Sequence, residues 1–154
     1  MTELKRFYEI YIRSDARKIW DALTQAEFTS QYFHATLVES DWQVGSKVVY
    51  RMADDSLAVD GEVLEVDPPK RLVITWRALY AEEFSSEGFS KVTFEIAEVD
   101  ASVCKLSVLH NQFPQASKLY EHVQGWVAII SSLKSLLETG EAMPMPQNES
   151  EMPT

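Results

Sequence analysis

Residues 115–138, QASKLYEHVQGWVAIISSLKSLLE, set the terms for the rest of the chain. Leu119, Val123, Trp126, Ile129, Ile130, Leu133, Leu136 and Leu137 recur at steps of three and four, the spacing of one helix face. Lys118, Glu121, Gln124, Ser131, Ser132, Lys134, Ser135 and Glu138 fall mostly elsewhere. The spacing predicts a helix of about six turns. Burying each large side chain of the stripe contributes about 1.5–3 kcal/mol before ordering costs. Such a stripe has to lie on a wide apolar surface, which the segments before it must supply. Gly125 sits inside the stretch and costs about 1 kcal/mol relative to Ala in a helix interior. Either that cost is tolerated, or the helix approaches the sheet or a ligand closely beside Trp126.

Working back toward the N-terminus, the period changes from about four to two. Cys104, Leu106, Val108 and His110 share one face of a predicted strand, and Phe113-Pro114 ends it. Val92, Phe94 and Ile96 alternate with Lys91, Thr93 and Glu95, and Asp100-Ala101-Ser102 turns the chain. Leu72, Ile74, Trp76 and Ala78 form another alternating run. Residues 57–66 read as a strand in which Gly61 marks a bulge or a close backbone approach. Asp67-Pro68-Pro69-Lys70 and Asp54-Asp55-Ser56 are turn sequences. Val48, Tyr50 and Met52 alternate with Lys47 and Arg51 in a half-buried strand. Residues 82–88 read as a solvated acidic loop. Ahead of this sheet lie one more strand (Phe7 to Ile12) and two short helices. The first starts at the capping pair Ser14-Asp15 and stops near Thr24; the second covers residues 27–33. Gly140 reads as a C-cap, and residues 139–154 as a disordered tail beyond a single domain at 1–138.

The 154 residues fit one domain with a real core. A formal charge of −10 argues against nucleic acid and against anionic membrane surfaces. No apolar run reaches bilayer length, and the N-terminus lacks a signal-peptide core. Cys104 is the sole cysteine, which rules out an intrachain disulfide and makes a small buried hydrophobe its plainest role. The sequence contains no metal-binding spacing, serine-nucleophile motif or phosphate-cradling glycine loop. These features predict a reduced, cytoplasmic protein without metal or cofactor.

Residues 61–76, GEVLEVDPPKRLVITW, closely resemble the central hairpin of the Hsp90-ATPase-activator-homologue-like (AHSA1-like) domains of the START/Bet v 1-like, or SRPBCC, superfamily. Residues 16–24, ARKIWDALT, resemble the first short helix of that family. His110 before Phe113-Pro114, and Gly125-Trp126 followed by Leu133 and Leu137, resemble its closing strand and helix. The chain departs from the family in having Tyr32-Phe33 where a Trp often follows the second helix, and Gly45-Ser46 where paired glycines often precede the third strand. The resemblance implies the α+β helix-grip fold: a curved seven-stranded antiparallel sheet around a long C-terminal helix, with two short helices after strand 1 and a hydrophobic cavity between sheet and helix.

On that fold, Tyr50, Met52, Trp76, Phe94, Val108, His110, Trp126 and Ile130 are the candidate ligand-binding residues. Core packing is the plain alternative for each of them. As a set they suit an apolar pocket whose Tyr and Trp atoms orient a ligand. His110 is the one histidine on an inward strand face, either a ligand contact or proton-transfer group, or a satisfied buried histidine at the sheet end. A weak pairing of His110 with His122 is a further reading. Glu62 and Glu65 face inward only if a bulge at Gly61 shifts the register; otherwise they are solvated.

The function expected first is binding of a small hydrophobic, aromatic or lipid-like molecule, with no catalytic residue assigned. The alternatives are a polyketide cyclase/aromatase-like enzyme using His110 and Tyr50, and a chaperone-associated module. The last ranks lowest because the extra N-terminal domain of the eukaryotic co-chaperone is missing. A homodimer is compatible with the family.

Overall fold

The computed structural model describes residues 4–114, 116–122 and 125–144. Val123 of the apolar stripe and most of the predicted tail lie outside them. The strands are β1 (Arg6–Ile12), β2 (Leu37–Ser40), β3 (Lys47–Arg51), β4 (Leu57–Asp67), β5 (Arg71–Ala78), β6 (Ser90–Asp100) and β7 (Val103–Asn111). They form one seven-stranded sheet in the order β1-β7-β6-β5-β4-β3-β2, with every pair antiparallel. Five of the six pairings join sequence neighbours, as hairpin-length turns dictate. β1 and β2 therefore end up on opposite edges, and two helices join them. These are α1 (Ala16–Thr24) and α2 (Ala26–Tyr32).

Local chemistry sets these boundaries. Asp15 caps α1, its Oδ1 accepting the Lys18 amide at 2.8 Å. Gly61 is where β4 comes closest to β5: a Cβ there would overlap the Thr75 carbonyl. The close approach expected for this glycine is present, whereas the register shifts of β4 fall elsewhere, at Tyr50/Arg51 and Val63/Glu65. Glu62 and Glu65 accordingly remain exposed on the outer face. There Arg71 bridges Glu65 and Glu95, each at 2.7 Å.

The C-terminal stretch is shorter and more broken than its periodicity predicts. It is helical at α4 (Lys118–His122) and again at α5 (Trp126–Thr139), with Gly125 at the N-cap of α5. Glycine is a poor interior residue but an acceptable cap, so the interior penalty does not arise. Gly140, at φ +87°, closes α5 as the left-handed C-cap, its amide donating to Leu136 O at 2.9 Å. Trp126, Ile129, Ile130, Leu133 and Leu136 are buried, as the stripe requires. Ser132 is buried too, against the pattern, because the chain beyond α5 folds back and the Met143 carbonyl accepts its hydroxyl at 3.2 Å.

The acidic segment is also more ordered than a solvated loop. Glu82–Ser85 form a one-turn helix, α3, which buries Phe84. Glu87 then reaches across to α4, accepting the Ser117 hydroxyl at 2.6 Å and the Lys118 amide at 2.7 Å. Glu82 and Glu83 stay exposed.

Candidate functional site

The inward sheet face is assembled by register. Trp76 pairs with Ser90, Ile74 and His110 both flank Val92, and Leu72 and Val108 both flank Phe94. On the far side Tyr50 pairs with Val38 and Val59. Seven of the eight sequence-predicted residues are brought together here: Tyr50, Trp76, Phe94, Val108, His110, Trp126 and Ile130 are all buried in one core cluster. Met52 is not among them. It lies past the end of β3, 38% exposed, in the turn to β4, where its amide donates to Ser56 O. β3 ends at Arg51, and Met52 is taken into the turn, its carbonyl accepting the Asp55 amide at 2.9 Å.

The centre of the cluster is the ring of Phe33, which the sequence marks only as part of a departure from the family pattern. Phe33 lies 5.0 Å from Tyr50, 6.0 Å from Trp76 and 5.6 Å from Trp126, centroid to centroid. Tyr50–Trp76 and Trp76–Trp126 add contacts at 5.2 and 5.3 Å, and Phe94 meets Trp126 edge-on at 5.9 Å. Rings at these separations and tilts attract one another beyond simple burial. The Tyr32-Phe33 departure from the family pattern thus supplies the ring between sheet and α5. The signal was present in the sequence as an aromatic pair closing the second short helix.

His110 is fully buried, and hydrogen bonds decide its protonation. The indole N–H of Trp126 can only donate, and it donates to His110 Nδ1 at 3.2 Å. Nδ1 is therefore unprotonated, and the single ring proton sits on Nε2. That N–H meets Ser90 Oγ at 2.7 Å, and the Ser90 hydroxyl passes its own proton to the Trp76 carbonyl at 3.2 Å. The resulting relay, Trp126 to His110 to Ser90 to Trp76, joins α5 to three strands with every donor used. Burial drives the imidazole pKa down to about 3, so the ring is neutral. With both nitrogens occupied and the ring uncharged, His110 has no free lone pair with which to act as a general base. Ser90 is the partner that the sequence reading missed, although counting back by two from Val92 puts it on the inward face.

The two histidines weighed as a pair lie in different settings. His110 packs on Phe113 at 4.4 Å, whereas His122 lies against Phe84 at 4.9 Å and Tyr80 at 5.9 Å. Among the described residues no group of three or more His, Cys, Asp or Glu side chains is placed to hold a metal ion.

Tyr50 behaves differently from His110. It is 2% exposed, and burial raises its hydroxyl pKa above the ordinary tyrosine value. No hydrogen-bond partner for this hydroxyl exists among the described residues. Tyr32, its neighbour, is satisfied by donating to Ala22 O at 2.7 Å.

A shallow concavity of about 610 Å³ lies on the other side of β3, walled by Trp42, Lys47, Val49, Arg51 and Leu57. Lys47 and Val49 alternate with Val48 and Tyr50, so this groove and the aromatic cluster occupy opposite faces. Its main charges neutralise one another, Arg51 with Glu39 at 3.0 Å.

A family model described as "Activator of Hsp90 ATPase homolog 1-like protein" matches residues 13–138. The chain belongs to this family. Its fold recurs in solved structures that carry the same helix-grip sheet. The AHSA1-like chain aligns with a protein from Mesorhizobium loti at 25% identity and TM-score 0.73, over 87% of this chain and 96% of that one. It aligns with the Aha1 dimer from Colwellia psychrerythraea at 19% identity and TM-score 0.71, covering 90% and 98%. An Hsp90 activator from Plasmodium falciparum follows at 22% identity and TM-score 0.69, covering 86% and 93%. No curated protein sequence matches the chain. No helix among the described residues is long and apolar enough to cross a membrane.

Proposed function

We propose that this AHSA1-like domain holds a small, flat, apolar molecule between the sheet and α5, against Phe33, Tyr50, Trp76 and Trp126. The observation that carries this reading is the uneven use of polar atoms inside the aromatic cluster. His110, Ser90, Trp126 and Tyr32 spend their hydrogen bonds on one another and on the backbone. The buried Tyr50 hydroxyl spends none among the described residues. A ligand atom within reach of that hydroxyl would complete its hydrogen bonding. The same bookkeeping disfavours the cyclase alternative, since His110 is neutral and doubly bonded.

Fluorescence titration with the apolar reporter N-phenyl-1-naphthylamine tests the proposal. Saturable one-to-one binding is expected, unchanged by Val49→Lys in the outer groove and weakened by Phe33→Ala. Absence of saturable binding, or binding that only Val49→Lys abolishes, refutes it. The dimeric state of the Colwellia structure makes a second copy of this chain the macromolecular partner to test first, by light scattering.

A further inference from the structure

The two edges of the sheet are finished differently. At β2 the open side is closed by α2, where Thr29 Oγ1 accepts the Val38 amide at 3.2 Å and donates to the Thr36 carbonyl at 2.9 Å. At β1 the closure is partial. Lys134 of α5 donates to the Tyr11 carbonyl at 2.6 Å, and Glu138 of the same helix accepts the Arg13 amide at 2.7 Å. The Tyr11 carbonyl therefore faces away from β7, where Lys105 lies opposite Tyr11. Hydrogen-bonding direction alternates residue by residue along an antiparallel strand, so Phe7 and Glu9 also turn their N–H and C=O groups to that side. β1 ends the sheet, and no further strand meets them. Such an edge is a template for another strand. The side chains beside it add apolar surface. Phe7 and Tyr11 are 52% and 59% exposed on the outer face and stand symmetrically about Glu9.

A strand with this pattern is complementary to itself. Laid antiparallel about a two-fold axis at Glu9, Phe7 of each copy faces Tyr11 of the other on the same side of the sheet. Aromatic pairs across strands stabilise such pairing, and a two-fold contact of this kind closes on itself. Leu109, the β7 neighbour of Phe7, extends the apolar row in each copy. The two Glu9 side chains that meet at the axis each bring a cation, Lys105 Nζ at 3.5 Å, and each accepts the Ser107 hydroxyl at 3.1 Å. We infer that the open edge of β1 docks β1 of a second copy of this chain. The joined sheets share Glu9 N–H to Glu9 carbonyl bonds, and Tyr11 N–H to Phe7 carbonyl bonds, in both directions. Lys134 on the Tyr11 carbonyl ends the register. Phe7, Glu9 and Tyr11 lie outside the aromatic cluster, so this docking is independent of the ligand reading.

Analytical ultracentrifugation of the full chain at concentrations up to about 1 mM tests this. A reversible dimer is expected, with exchange of the Glu9 amide hydrogen slowing as concentration rises. Glu9→Pro removes only the N–H on the open side, a position at which an edge strand tolerates proline. It is expected to raise the dissociation constant about ten-fold or more, since each dimer loses two central bonds. Glu9→Gln keeps that N–H and relieves the facing charges, and is expected to dimerise at least as tightly as the wild type. Tyr11→Glu changes an exposed ring and no core contact. It provides a second weakening variant should the proline variant fail to fold. A chain that stays monomeric at about 1 mM overturns the inference. A dimer that neither Glu9→Pro nor Tyr11→Glu weakens overturns it as well.

Discussion

Lowering the pH from 7.5 to 5 tests the His110 relay quantitatively. In the unfolded chain the imidazole titrates near 6.5; in the folded protein burial holds it near 3. Between those values the unfolded chain takes up a proton that the folded chain refuses. Stability is therefore fully present above pH 6.5 and is lost as pH falls toward 3, at about 1.4 kcal/mol per pH unit. At pH 5 the loss from this one group amounts to about 2 kcal/mol. Urea unfolding at both pH values provides the assay, with His110→Gln as the reference. Gln keeps a donor and an acceptor but does not titrate. Other titrating groups, including His34, whose pKa burial also lowers, are common to both proteins and cancel in the difference. The stability gap between wild type and variant is expected to shrink by about 2 kcal/mol between pH 7.5 and 5. A gap that stays constant refutes the neutral, doubly bonded imidazole. Nitrogen shifts of the ring supply an independent check, since Nδ1 should appear unprotonated and Nε2 protonated.

Other consequences concern the scaffold. Gly61→Ala forces a methyl group into the Thr75 carbonyl, and chemical denaturation should show a loss of about 3 kcal/mol or more. Asp60→Ala, at the paired and largely buried Arg77 site, should cost about 1–3 kcal/mol, whereas Arg71→Ala on the exposed Glu65/Glu95 pairs should cost under about 1 kcal/mol. Glu87→Ala removes the cap on the Ser117 hydroxyl and the Lys118 amide. Hydrogen exchange within α4 should then accelerate about five-fold, while α5 is unaffected.

How much of this was legible in the sequence depended on whether a feature was periodic. Strand alternation is local and survives in the folded chain, so the inward placement of Trp76, Phe94, Val108 and His110 followed directly. It failed at Met52, because β3 ends one residue earlier and the turn to β4 takes Met52 up. The length of the C-terminal helix was overestimated because apolar spacing continues through Gly125, whose low helix propensity outweighs it. Ser132 and the acidic segment were misjudged for a different reason. Their environments come from distant partners, Met143 for the one and Ser117 and Lys118 for the other. The same holds for the site. A histidine on an apolar strand is visible in sequence, but its tautomer follows from Trp126 and Ser90, which lie 16 and 20 positions away, and its neutrality from the closure of the core around it. Phe33 caps α2, far from β5 in sequence, and only the folded packing brings it to Trp76.

The most direct test locates the ligand itself. Intermolecular NOEs from bound N-phenyl-1-naphthylamine to assigned methyl groups distinguish the two faces of the sheet. Contacts to Val108 and Ile130 are predicted, since both line the aromatic cluster. Contacts confined to Val49 and Leu57, which line the outer groove, would contradict a site between the sheet and α5.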